Sequence, residues 1–295
     1  MHLRDGCPRT ARRALCATIA LLAIAVPSAA ADPSTRDVCR SGSITCVDRV
    51  IAKMERRAAG SIESCDHDAI FDVMYLRMTE EVRASLVDPQ YFAPDGTFGD
   101  VPFLAREDAV FAEFYFWADR RFHAGRRVPG AWRTAFRAAK HETVSGLGNA
   151  LLGANAHIKR DLPIVLYRLG LGSKADHDKV DDVLERVADD VLDELARRFD
   201  PTLQLGNPVP GSTLDNEAFL LASITAWRAD AWTDAERLRD AANRTERRAI
   251  KRDIENDAQA NAQSLLTQLA YPEGLAGDLL RQARNGFCAE HHFDP

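Results

Sequence analysis

The stretch GLGNALLGANAHIKRDLP, Gly146 to Pro163, decides how the chain is read. At about 100° per residue, Leu147, Leu151, Ala154, Ile158 and Leu162 share one face of a helix, and Val165 and Leu169 continue it. Gly146, Ala150, Gly153, His157 and Asp161 fall on the adjoining face. The imidazole and the carboxylate therefore stand beside a core stripe, in a strip of residues with almost no side chain. Glycine costs a helix up to roughly 1 kcal/mol against alanine, so a close helix contact or a ligand is expected to use the room. Pro163 has no N–H, which frees the carbonyl of Lys159 and predicts a kink near Asp161.

The same three-and-four spacing of apolar residues runs outward in both directions, and strand patterns are almost absent. It predicts helices over 45–59, 66–86, 104–124, from Pro129 onward, 144–169, up to about 199, 214–242, 245–269 and 273–284. Two long loops interrupt them. VDPQYFAPDGTFGDVPF holds Tyr91, Phe92, Phe98 and Phe103, so it is expected to lie back on the body as a connector or a rim; DPTLQLGNPVPGSTLD is the second. No shift in composition marks a boundary. The expected fold is all-α: one domain over 32–295, an antiparallel helical bundle of about eight helices with two long loops.

Residues 1–31 read as a secretory signal peptide, with a positive start (Arg4, Arg9, Arg12, Arg13), a short apolar run and a small-residue cleavage site after Ala31. The apolar run is short for a membrane span, so no transmembrane anchor is expected after cleavage. The residues leave Sec and twin-arginine export open. The segment holds four Arg and one Asp, so its removal takes the net charge from −6 to −9. A binder of nucleic-acid backbones should be basic, and generic nucleic-acid binding is not expected. Four cysteines remain: Cys39, Cys46, Cys65 and Cys288. An even count in an exported chain reads as two disulfides. Of three connectivities, Cys39–Cys46 as a local loop with Cys65–Cys288 as a staple is preferred.

His157 and Asp161, four residues apart, suit three jobs. Both can bind a metal such as zinc. Asp161 can instead orient His157 as a general base. Or the pair is a satisfied polar contact between helices. Asn155 lies on the other side of the helix and is expected to hold a neighbouring backbone. Arg228 and Trp232 are one turn apart, so the guanidinium can stack on the indole and grip an anionic group. With Tyr75, which stands one turn from Thr79, they are the candidate substrate contacts, packing being the alternative for each. A phosphate-binding glycine loop, a G-x-S-x-G motif and a paired E-x-x-H pattern are all missing.

Gly153, Asn155, Ala156, His157, Ile158, Asp161 and Leu162 resemble the signature of an actinobacterial family of unknown function with an N-A-H-I-x-x-D-L motif. FDVMYLRMTEEV, AVFAEFYFWADRRF and AWRADAW resemble its flanking helices, so the likeness covers roughly 65–240. It brings no activity, but implies that His157 and Asp161 belong to a shared constellation. A looser resemblance is to the zinc-dependent phospholipases C and related single-strand nucleases, which use a helical His and Asp four apart as metal ligands. Asp32 at the expected mature start, and Leu162-Pro163 downstream, depart from that pattern and imply a single-metal site or none. Two functions are thus expected: a metal-assisted hydrolase using His157 and Asp161 in a buried pocket, or a non-catalytic secreted scaffold. The scaffold would take a small apolar, amphipathic or lipid-like ligand between the glycine strip and the aromatics of 91–117. Oligomeric state is left open.

Overall fold

The computed structural model describes residues 32–94, 96–204 and 214–293; the expected signal peptide, 1–31, lies outside them, as does most of the second long loop. The described chain is all-helical. Its α-helical segments are α1 (Ile44–Glu63), α2 (Ala69–Val87), α3 (Val101–His123), α4 (Gly130–Lys140), α5 (Gly146–Asn155), α6 (Leu162–Leu169), α7 (Lys174–Arg198), α8 (Asn216–Asp240), α9 (Arg244–Leu269) and α10 (Leu275–His291). A π-helical turn, Ala156–Asp161, joins α5 to α6 in one rod, so nine separate rods stand where about eight were expected. Polar residues start several of them: Ser43, Ser173, Asp215 and Asn243 each accept a backbone N–H from the first turn.

The rod α5–π–α6 is the central element. Every residue of α5 is buried, and α2, α4, α8 and α9 pack around it while α3 closes on α6 and the π turn. A helix apolar on all sides has to be surrounded, and this one is. Asn155 does what its place on the far side predicted: its Nδ2 donates to Ala258 O at 2.9 Å, and its Oδ1 accepts from Asn261 at 2.8 Å, tying the rod to α9.

The irregularity predicted at Pro163 takes the form of the π turn. Leu162 N–H donates to His157 O, five residues back. The turn takes in one extra residue and so absorbs the donor that Pro163 lacks. Arg160, within the turn, is buried at 2% exposure.

The glycine strip is filled by neighbours. A Cβ on Gly153 would lie 2.3 Å from the Phe71 ring of α2, and one on Gly146 would lie 2.8 Å from the Asp200 carboxylate. Gly153 therefore serves a close helix contact and Gly146 a close loop contact, and neither lines the main cavity. Gly153→Ala is expected to cost about 1–3 kcal/mol by overpacking, read as a shift in the urea midpoint. An unchanged midpoint would mean that Phe71 swings away freely.

The loop between α2 and α3 lies on the body, as its aromatics predicted. Phe92 and Phe98 are buried with Val47, Leu86, Leu104, Ala105 and Val183 in a small second core. Asp176, in the first turn of α7, clamps the loop by accepting from Gly99 N (2.7 Å) and Asp100 N (3.0 Å). Both expected disulfides form: Cys39–Cys46 closes the entry to α1, and Cys65–Cys288 joins the α1–α2 corner to α10.

Candidate functional site

Phe111 of α3 lies flat on the His157 ring, centroids 3.4 Å apart and planes 4° from parallel. Tyr75 of α2 meets the imidazole edge-on at 4.6 Å. Phe71, Tyr115 and Trp132 complete the aromatic surroundings. The residue is 3% exposed, and neither ring nitrogen has a hydrogen-bond partner. Burial holds the imidazole below its usual titration range, and the attraction of Asp161 only partly opposes this. His157 is therefore neutral at pH 7.

Asp161 stands behind His157. Its Oδ2 is 3.6 Å from Nδ1, an electrostatic contact too long for a hydrogen bond. The carboxylate is spoken for elsewhere. Trp132 Nε1 donates to Oδ2 at 2.8 Å, and Arg160 Nη1 donates to Oδ1 at 2.7 Å. Arg160 also reaches Glu255 of α9 (2.9 Å) and Asp32 (2.5 Å), and Asp32 pairs with Arg168 (2.8 Å). A carboxylate held by a guanidinium and an indole is a poor first ligand for a cation. Without a hydrogen bond to Nδ1 it does not fix the imidazole either; of the three jobs considered from the spacing, its bonds to Trp132 and Arg160 match the polar contact between helices.

Next to this pair is a cavity of about 100 Å³ between α2, α3, the rod, α7 and α8. Its walls are mostly apolar: Phe71, Met74, Met78, Leu86, Phe98, Leu104, Phe111, Ala154, Ile158, Leu162, Leu184 and Ile224. Tyr75, His157 and Arg228 line it together; Asp161 and Trp232 do not. Phe98 comes from the long loop, which thus forms part of the rim.

Arg228 does not stack on Trp232 as its spacing suggested. Its Nε donates to Asp181 at 2.6 Å and its Nη2 to His177 O at 2.5 Å, both on α7. The Trp232 indole instead faces His177, centroids 5.1 Å apart. A cation already held by a carboxylate on the next helix keeps little charge for a second anion.

Two acidic residues that the sequence reading passed over also line the cavity: Glu107 and Asp108, adjacent on α3. Burial pushes the Glu107 carboxyl up to about 7 while Arg228 draws it back. Burial pushes Asp108 to about 7 as well, with the neighbouring Glu107 raising it further. Their signal in the sequence is faint: a charged pair in AREDAVFAEF, a helix whose later turns carry aromatics.

A folded carboxyl held near 7 lies above its unfolded value, so it contributes stability at low pH that is lost as pH rises through about 7. We expect Glu107→Gln with Asp108→Asn to gain stability over the native protein progressively from pH 4 to 7, with no further gain above. Urea unfolding of both proteins across that range checks it; a pH-independent difference would contradict the burial of these groups.

The model of a family of unknown function, DUF5995, matches residues 47–268. The chain belongs to that family. The matched span includes every residue of the cavity wall named above as well as Arg160 and Asp161. No curated protein and no solved structure matches this member of DUF5995.

Among the described residues one group of His and Cys has metal-ligand proximity, Cys65, Cys288 and His292. Both sulfurs are joined in the disulfide, and a disulfide sulfur carries no thiolate to bind a cation. No described helix is long and apolar enough to cross a membrane, which with two disulfides fits an extracellular setting.

Proposed function

We propose that this is an exported binding protein that takes a small, largely apolar molecule into the cavity beside His157 and holds its polar end on Tyr75, Asp108 and His157. One observation carries the reading. Tyr75 Oη, Asp108 Oδ2, His157 Nδ1 and His157 Nε2 are all out of solvent and without a hydrogen-bond partner, and all belong to residues that line this cavity. An unpaired buried polar group costs about 1–3 kcal/mol, and native interiors rarely leave several side by side. A ligand with a hydrogen-bonding end and an apolar body removes that cost. The walls match the usual make-up of small-molecule pockets, hydrophobic and aromatic with a few convergent polar groups. The size is modest: an apolar cavity of ~150 Å³ accepts benzene, so about 100 Å³ encloses roughly four heavy atoms, and the rest of a longer chain lies toward the cavity mouth. The signal-like pattern of residues 1–31 and the two disulfides support export.

Hydrolysis is the second reading. Glu107, Asp108 and His157 line one cavity, and the two carboxyls titrate near neutrality, where a general acid or base works best. The occupied carboxylate of Asp161 favours a metal-free form of it.

The test is binding of hexan-1-ol to the purified protein, followed by saturation-transfer NMR and calorimetry. Binding is expected, and Ala154→Leu, which extends a wall residue into the space, is expected to abolish it. A folded protein that binds neither hexan-1-ol nor its amine and carboxylate counterparts, or a variant that binds as well as the native protein, would sink the proposal. Release of product from ester analogues of the bound alcohol would shift the balance to the hydrolytic reading.

A further inference from the structure

Resting on the binding reading, we propose that the cavity selects a small protonated amine, its ammonium seated against Asp108 and Glu107 and its hydrocarbon part filling the apolar end. Three observations converge. The polar groups of the wall come from four elements: Glu107 and Asp108 on α3, Tyr75 on α2, His157 on the π turn and Arg228 on α8. The single guanidinium among them is bonded to Asp181 and a backbone carbonyl of α7 and attracts Glu107 without bonding it, so the unpaired acidic group is Asp108. The unpaired atoms include a carboxylate oxygen of Asp108, the phenol of Tyr75, which is 8% exposed, and an imidazole 3% exposed, which show that the acidic pair faces a space able to take hydrogen bonds.

An ammonium satisfies this set better than the alternatives. It has three donors and no acceptor, so it can serve Asp108 Oδ2 and the neutral His157 acceptor nitrogen together. Phe71, Tyr75 and Phe111 line the same space, and aromatic rings attract cations at close range. A carboxylate ligand would face two acidic side chains across a low-dielectric gap, where like charges repel strongly. A hydroxyl can pair with His157 or Tyr75 but leaves the acidic pair uncompensated.

The proposal predicts a linked proton. Without ligand the two carboxyls titrate near 7, whereas an alkylammonium keeps its charge well above that. Amine binding therefore favours the ionised carboxylate and releases a proton, and affinity rises with pH. For one group titrating near 7, the rise from pH 6 to pH 8 is about tenfold.

The experiment is calorimetric titration of the purified protein with hexylamine, hexan-1-ol and hexanoate at pH 6, 7 and 8. Hexylamine is expected to bind at least tenfold more tightly than the alcohol at pH 8, with hexanoate weakest. Asp108→Asn is expected to reduce hexylamine affinity about tenfold and to flatten its pH dependence, while leaving the alcohol within twofold. Equal affinities for amine and alcohol, tightest binding of hexanoate, or an amine preference that survives Asp108→Asn each overturns the amine class and leaves the cavity reading standing. Failure of all three compounds to bind the folded protein overturns both.

Discussion

Replacing Arg160 with methionine is expected to lower the unfolding free energy by about 3–5 kcal/mol. The guanidinium is 2% exposed and is the shared cation of three carboxylates: Asp161 at 2.7 Å, Asp32 at 2.5 Å and Glu255 at 2.8 Å. Asp32 and Glu255 keep some access to water or a second cation, since Arg168 and Lys251 also approach Asp32. Asp161, 1% exposed, has no such recourse. It would be left with the Trp132 N–H and the distant edge of His157. The cost is that of an uncompensated buried charge, larger than the net value of the pair itself. Adding Asp161→Asn to Arg160→Met should therefore recover part of the loss, because the amide needs no counter-ion. Urea unfolding of the two single variants and the double variant measures this. A double variant as unstable as the sum of the singles would show that the pair acts through shape rather than charge.

Opening the Cys65–Cys288 bridge, by Cys65→Ser with Cys288→Ser, is the second large effect. The bridge spans 223 residues of sequence. Chain-entropy arguments put the stabilisation from a closure of that length at about 5 kcal/mol, with 2–5 kcal/mol the usual result of removing a native disulfide. The structure says where the loss would be felt. On α10 only Gly277, Arg284 and Cys288 are buried, so apolar packing holds this helix weakly. Its other anchors are polar: Arg284 Nη1 donates to Asn149 at 2.8 Å and meets His67 Nδ1 at 2.9 Å, and Arg198 donates to His292 O. Amide hydrogen exchange in the variant should accelerate first across 275–291, ahead of the central rod. Opening the Cys39–Cys46 loop, seven residues apart, should cost clearly less. Equal losses from the two bridges would argue against loop closure as the source of the stabilisation.

Much of the fold could be read from residue spacing because helix formation here is local. The 3.6-residue repeat found every rod among the described residues, most to within a few residues though the last runs on to His291, the aromatics of 91–98 announced a loop that packs, and Asn155 on the far side of its helix announced a tether to a neighbour. The even cysteine count pointed to two disulfides, and of the three possible pairings the preferred one, a local loop and a long staple, is the one that forms. His157 was legible as a residue in the wrong company for a core helix.

What only the tertiary structure decided is the role of each polar group, since that depends on which helix arrives opposite it. Nothing in the spacing of His157 and Asp161 shows that Trp132 and Arg160 already occupy the carboxylate. Arg160 carries no signal in the sequence, and its place among three carboxylates follows from what packs around the π turn. Arg228 reads as a grip for an anion until Asp181 of α7 takes it. Glu107 and Asp108 read as an ordinary charged turn until α2, α7 and α8 close over them and burial moves both carboxyls to neutrality. Periodicity belongs to one helix and is written in its own residues, whereas desolvation and charge pairing are properties of several helices at once, and these determine what the cavity beside His157 can hold.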